Sequence, residues 1–357
     1  MIQVHEHLEP MQERALRSFL AQAPADSGVT PEHDPAWLGV LREGLGHRTF
    51  MLLARENDSN KLVGYLPLAL VKSRLFGRFL VSLPYLSRVG LVTTAPGAAA
   101  ELIDAAALLA TQHDVKYLEL RHPGKGAEHP KLFVKRADKF RMAMQLPGDV
   151  PRLWDALPSK VRNQVRKAEK QTFEARFGGA ELVDEFYDVF AVNMRDVGTP
   201  VYPRRLFESI LDHLAPRAEL AVVMLEGKAI AGALLIHEPA AEGYPATTLV
   251  PSASSLRRFN ATNANMWMYH QLLQRAVQRG SAVFDFGRSS LDSGTYKFKK
   301  QWGAQSEPTT WQYHVRRGDA AAMRPTHPRN LRRIQTWQKL PVWLTRLIGP
   351  PIVRGIP

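Results

Sequence analysis

A chain of 357 residues is longer than one hydrophobic core usually organises, so two domains are expected. It has no cysteine, which excludes disulfide frameworks, thiolate nucleophiles and cysteine-ligated metals and fits a reducing compartment such as the cytoplasm. Its 47 Lys and Arg outnumber 34 Asp and Glu, and the net charge of +13 favours anionic partners: nucleic acid, phosphorylated substrates or anionic lipid. No apolar run approaches the ~18 residues that span a bilayer. Residues 1–10, with Glu6 and Glu9, do not read as a secretory signal.

In the first half, residues 49–55 read as a strand, 58–60 as a turn and 62–71 as a second strand, followed by a helix at 97–111 and a strand at 117–120. A turn-rich stretch at 148–151 marks a boundary, dividing the chain into domains 1–150 and 151–322. Residues 159–171 then read as a basic helix. Val161, Val165 and Ala168 form a narrow apolar stripe. Lys160, Arg162, Asn163 and Arg166 lie off it, and Ser159 is the expected N-cap. Cations in the first turn oppose the helix dipole, which suggests a site for phosphate or carboxylate. A solvated helix face is the plainer alternative.

Residues 198–204 (GTPVYPR) form a rigid loop that presents Thr199, Tyr202 and Arg204 before a helix at 205–214. Strands at 219–225 and 229–237, a helix at 263–279 and a strand at 282–286 repeat the order of the first half. Gly64 and Gly232 occupy similar places in the two repeats, where a strand glycine marks either tight packing or close approach of a ligand. The mixture of hairpins and helices implies an α/β (α+β) fold around mainly antiparallel sheets.

The densest segment is 284–302, FDFGRSSLDSGTYKFKKQW. It runs from a strand into a Gly- and Ser-rich turn. Arg288, Ser289, Tyr296, Phe298 and Lys299 are its candidate ligand contacts, and the alternation over 296–300 reads as extended chain. Asp285 is a candidate general base, set against a structural role as a hydrogen-bond acceptor at the strand end. From residue 323 the chain becomes a basic tail. Residues 330–348 read as one amphipathic helix that either docks on its own protein or lies on an anionic membrane.

The segments LPSKVRNQVRKAEK, GTPVYPRRLFESIL and FDFGRSSLDSGTYKFKKQWGA resemble those of FemAB-like proteins. The nearest likeness is to the subfamily encoded with exosortase/PEP-CTERM exopolysaccharide systems. It covers most of the chain, including the ending LIGPPIVRGIP. The resemblance implies tandem acetyltransferase-fold (GNAT) domains and a cleft beside or between them. Better-known members of the wider family move an amino acid from aminoacyl-tRNA onto the peptide of a cell-wall precursor. Their Phe-Lys pair corresponds to Phe298-Lys299, which makes Lys299 the implied catalytic residue. Lys160, Arg162, Asn163 and Arg166 match the family's basic helix. The chain has no long heptad insertion of the kind some tRNA-using members carry, and no clear Arg/Gln-x-x-Gly-x-Gly/Ala loop for coenzyme A.

The expected activity is transfer of an acyl or aminoacyl group from acyl-CoA, an acyl carrier or aminoacyl-tRNA to an amine of a peptidoglycan or exopolysaccharide-related acceptor. No tightly bound cofactor and no metal is expected. The alternatives are a non-catalytic binder of RNA or anionic polysaccharide, and a membrane-surface scaffold. The transferase reading expects Arg162 and Lys299 to converge on one cleft.

Overall fold

The computed structural model describes residues 1–320 and 328–357. The expected start of the tail, at residue 323, lies outside the described residues. The first half runs β1 (Ile2–His5), α1 (Pro10–Gln22), α2 (Ala36–Leu45), β2 (Arg48–Arg55), β3 (Leu62–Ser73), β4 (Gly77–Val81), β5 (Val92–Thr93), α3 (Ala98–Gln112), β6 (Tyr117–Pro123) and β7 (Val134–Gln145). Two short helices follow, α4 (Val150–Ala156) and α5 (Ser159–Ala168). The second half runs β8 (Phe173–Gly178), α6 (Val183–Val197), α7 (Arg204–His213), β9 (Ala218–Leu225), β10 (Lys228–Glu238), β11 (Thr247–Ser255), α8 (Ala264–Gln278), β12 (Val283–Ser290), α9 (Gly294–Gln301) and β13 (Gln305–Val315). The tail forms α10 (Pro328–Trp337) and α11 (Val342–Val353).

The repeat is wider than the sequence suggests. Apart from the two-residue β5, the order strand, two helices, three strands, helix, strand occurs from β1 to β6 and again from β8 to β12. All the strands form one open mixed sheet in the order β1-β2-β3-β4-β6-β13-β7-β12-β11-β10-β9-β8, with β5 added on β3. The two final strands are exchanged: β13 pairs with β6, β7 pairs with β12, and β7 and β13 pair with each other. Ladder hydrogen bonds therefore run without interruption from one half to the other.

Helices α1, α2, α6 and α7 share one core. Trp37, Leu38 and Leu41 from the first half pack in it with Phe186, Phe207 and Ile210 from the second. Gly44 lets α2 approach α7, since a Cβ there would lie 2.9 Å from the Leu206 Cα. Helices α3 and α8 cover separate cores, the α8 core also receiving Val161 and Val165 of α5. Gly64 and Gly232 serve packing: a Cβ at Gly64 would meet Ala54 and Leu102, and one at Gly232 would meet Ala221 and Phe186.

Three local expectations are corrected. Pro158, not Ser159, is the N-cap of α5, so that helix has no side-chain cap. Residues 296–300 are helical rather than extended, because the Ser293 hydroxyl accepts the Tyr296 N–H and starts α9. Five alternating residues cannot by themselves distinguish a strand from a helical turn. The tail is two helices, since Pro341 caps α11 and interrupts the run. It docks on α6: Arg346 pairs with Asp188 at 2.6 Å, Gln338 donates to the Asp196 carbonyl at 3.1 Å, and Arg195 donates to the Leu340 carbonyl at 3.2 Å. Among the described residues no helix is long and apolar enough to cross a membrane.

Candidate active site

Each half contains one adjacent parallel strand pair, and each pair holds together over only three positions. In the first half Phe79, Leu80 and Val81 of β4 face Tyr117, Leu118 and Glu119 of β6. In the second half Thr247, Thr248 and Leu249 of β11 face Val283, Phe284 and Asp285 of β12. Beyond these positions the strand-to-strand register ends in both pairs.

The two gaps are filled differently. Two positions past Glu119 stands Arg121, whose guanidinium bonds Glu119 at 2.7 Å and the Leu86 carbonyl at 2.5 Å and closes the first gap. Two positions past Asp285 stands Gly287, which adds no side chain. Its φ of +75° favours glycine, and a Cβ there would approach the Val250 carbonyl to 3.4 Å. The second gap holds a cleft of about 360 Å³ between residues 249–254 of β11 and 285–288 of β12. Phe190 and Met194 of α6, together with Tyr202, give it an apolar wall.

Gly287 also lies in a bulge, where the β7–β12 register shifts between Asp285 and Arg288. Side chains alternate along a strand, so positions three apart normally face opposite ways. One extra residue restores the phase, and both Asp285 and Arg288 line the cleft.

Asp285 is buried and fully engaged. It accepts from Arg141 Nε at 2.6 Å, from Arg88 at 3.3 Å and from the Gly287 N–H at 2.8 Å. Burial opposes its ionisation, but Arg141, Arg88 and these hydrogen bonds outweigh burial and hold the carboxyl below its ordinary range. A carboxylate so occupied is a poor proton acceptor, which favours the structural role over that of base. Arg88 comes from the loop after β4 and also pairs with Glu32 at 3.1 Å. The same loop sends Tyr85 across to the Ser252 hydroxyl at 2.9 Å. The first half thus builds one wall of the second half's cleft.

Lys299 is 7% exposed and lines the same cleft. Its ammonium donates to the Gly287 carbonyl at 3.1 Å and the Arg288 carbonyl at 2.9 Å. An ammonium has three N–H donors, so one remains for a ligand. Burial pushes its pKa down to about 8, with Asp285 opposing the fall and Arg288 adding to it.

The remaining sequence candidates separate into two groups. Tyr202 and Arg288 line the cleft with Lys299 and Asp285. Arg162 does not line it, and the expected convergence with Lys299 is not met. Lys160, Asn163 and Arg166 are exposed on α5, with Arg166 over the Trp154 ring. The apolar stripe of α5 turns toward the core, so its charged faces point elsewhere. Arg204 is exposed and paired with Asp184 and Glu208. Ser289 is buried on the strand, Tyr296 donates to the Ser306 hydroxyl, and Phe298 packs edge-on against Tyr269. Sequence reasoning missed Glu32, Tyr85, Arg88, Arg141 and Trp311. The stretch SLPYLSRVG at 82–90, with an aromatic and an arginine in an irregular segment, was the one available signal.

Asp285→Asn leaves the buried Arg88 and the half-buried Arg141 without their shared carboxylate, with only Glu32 and Glu307 as their remaining ion-pair partners. Removing one partner of a buried pair costs about 3–5 kcal/mol, and urea unfolding at neutral pH should show a loss of that order. Because the folded carboxyl titrates below its ordinary 3.8, its contribution is complete above that value and fades as the pH falls through the lower folded pKa. The difference between variant and wild type should therefore narrow on acidification. An unchanged unfolding midpoint at neutral pH contradicts this role for Asp285.

Comparison with known proteins gives three findings. Residues 159–300, which include β11, β12 and Lys299, match the family described as Acetyltransferase (GNAT) domain. No curated protein matches by sequence. Similar solved structures include FemX, with TM-score 0.62, 14% identity and coverage of 88% of this chain and 97% of that one. A tandem GNAT protein from the clavulanic acid biosynthesis pathway matches with TM-score 0.54 and 12% identity, covering 88% and 97%. L-PGS from Bacillus licheniformis matches with TM-score 0.53 and 13% identity, covering 96% and 98%. At such identities the likeness is one of fold. The chain is therefore an α/β protein with two tandem GNAT-like halves, and its family match lies in the half that holds the open cleft.

Proposed function

We propose that this protein is an acyl- or aminoacyltransferase of FemAB-like type, with Lys299 as its catalytic residue. The observation that carries the reading is Lys299 itself: a largely buried ammonium, fixed by two backbone carbonyls, with a donor left over at the cleft between β11 and β12. In the reaction an acceptor amine attacks the carbonyl carbon of an activated ester or thioester. A C–N bond forms, the C–O or C–S bond breaks, and the amine's proton leaves with the departing alkoxide or thiolate. The spare N–H of Lys299 stabilises the oxyanion of the tetrahedral intermediate, and the cleft supplies proximity. Arg288 and Tyr202 contact substrate, and Asp285 holds the wall in place.

The donor is acyl-CoA, an acyl carrier or aminoacyl-tRNA. The acceptor is an amine of a cell-envelope precursor, and the resemblance to the PEP-CTERM-associated subfamily favours an exopolysaccharide-related one. In the same proposal residues 1–150 and 151–322 are the two domains, and the exposed α5 cations meet the anionic donor outside the cleft. The protein works in the cytoplasm, and its tail touches the inner face of the membrane. On that tail Trp343 and Leu347, one turn apart on α11, are each 68% exposed, and exposed Arg332, Arg333 and Lys339 precede them.

Transfer assays with acetyl-CoA and with alanyl-tRNA over a panel of amine acceptors test the reading. Lys299→Met keeps the apolar stem and removes the ammonium. It should lower kcat about 100-fold or more while circular dichroism is unchanged; full turnover would remove Lys299 from the mechanism. Since the ammonium is the active form, kcat should fall as the pH rises past about 8. For the tail, wild-type protein should pellet with phosphatidylglycerol vesicles and the Trp343→Glu/Leu347→Glu variant should not. Equal pelleting rejects membrane contact through α11.

A further inference from the structure

Four basic side chains line the cleft, and three of them are already engaged. Arg88 pairs with Glu32 and Asp285, Arg141 pairs with Asp285 and Glu307, and Lys299 holds two carbonyls. Arg288 differs. Among the described residues no carboxylate pairs with it, and no protein acceptor bonds its guanidinium. It has a platform instead, stacking over the Trp311 ring at 5.1 Å to the centroid. Arg121 and Arg136 share that ring at 4.2 and 5.3 Å. Those two have their own carboxylates, Glu119 and Asp138. Three guanidiniums crowd one indole, and the one facing the cleft lacks a counter-ion.

We propose that Arg288 is a preformed seat for an anionic group of the substrate, a carboxylate or phosphate, carried a few bonds from the reacting centre. The proposal rests on the transferase reading and deepens it by naming the substrate's charge. An incoming anion offsets the mutual repulsion of the stacked cations and uses the planar donor fork that Arg288 leaves free. Trp311 is the positioning residue, since it orients the guanidinium from behind. The Lys299 ammonium bonds the Arg288 carbonyl at 2.9 Å, so the seat and the lysine are built on the same stretch of β12. The seat thereby selects an acceptor or acyl group with an acidic end over one that is neutral there. Arg288 keeps a solvent-exposed side chain; partial desolvation at the cleft, with Arg121 and Arg136 adding to it, lowers its pKa from the ordinary arginine value, and it stays charged at neutral pH.

Isothermal titration of the full chain with N-acetylglycine, its neutral amide and inorganic pyrophosphate tests the seat. The wild type should bind at least one of the two anions saturably and should not bind the amide. Arg288→Gln should weaken that binding about tenfold or more. Arg176→Gln, which removes a surface arginine paired with Glu174, controls for net charge and should leave it unchanged. Binding of N-acetylglycine alone identifies a carboxylate end, and binding of pyrophosphate alone a phosphate. Equal binding by Arg288→Gln, or no saturable binding of either anion to the wild type, overturns the proposal. The two readings fail separately. Anion binding lost in Arg288→Gln without any acyl transfer keeps the seat and removes the enzyme. Transfer that is indifferent to Arg288→Gln does the reverse.

Discussion

One buried carboxylate holds the functional half of this molecule together. Asp285 receives Arg141 from β7, Arg88 from the loop after β4 and the N–H of Gly287 on its own strand. Three separate parts of the chain therefore meet at one charge, in surroundings where an unpaired guanidinium is costly. The contact fixes the bulge that turns Arg288 into the cleft. It also anchors the first half's loop as a wall of the second half's site. The exchanged strands β7 and β13 add a continuous ladder between the halves.

The internal repeat allows the gaps of the two halves to be compared position by position. Both place an acid at the third parallel position, Glu119 in one and Asp285 in the other. Two residues further on, the first half has Arg121 and the second has Gly287. The arginine fills its gap and bonds its own acid. The glycine leaves its gap empty, and the acid there takes partners from elsewhere. The loop after β4 thus serves both halves: its Leu83 and Leu86 carbonyls accept from Arg121 in the first gap, while its Tyr85 and Arg88 line the cleft of the second.

Much of the frame was legible. Turn residues bounded the strands read as β2, β3, β9 and β10, the helices α3 and α8 were read in place between strands, and an apolar stripe marked α5. The motif around Lys299 stood out because glycine, hydroxyl, aromatic and basic residues rarely concentrate so densely. Strand β11 was not legible, since TTLVPSASS has no clean alternation. The exchange of β7 and β13 was beyond reach as well, because pairing between distant segments is set by register and not by local pattern. The site suffered from the same limit. Arg88 lies 197 residues from Asp285, and nothing in its neighbourhood announces that partner. The basic helix misled for a different reason: its charge pattern was read correctly, but charge alone does not say which cavity a helix faces.

The central claim is that the reacting ends of the substrates meet between β11 and β12, against the loop from the first half. Amide hydrogen exchange, with and without a donor shown to bind (acetyl-coenzyme A or alanyl-tRNA), addresses it most directly. The account predicts slowed exchange in residues 249–255, 285–290 and 85–88 together. Protection confined to α5 or to the strand gap closed by Arg121, with those three segments unchanged, would contradict it.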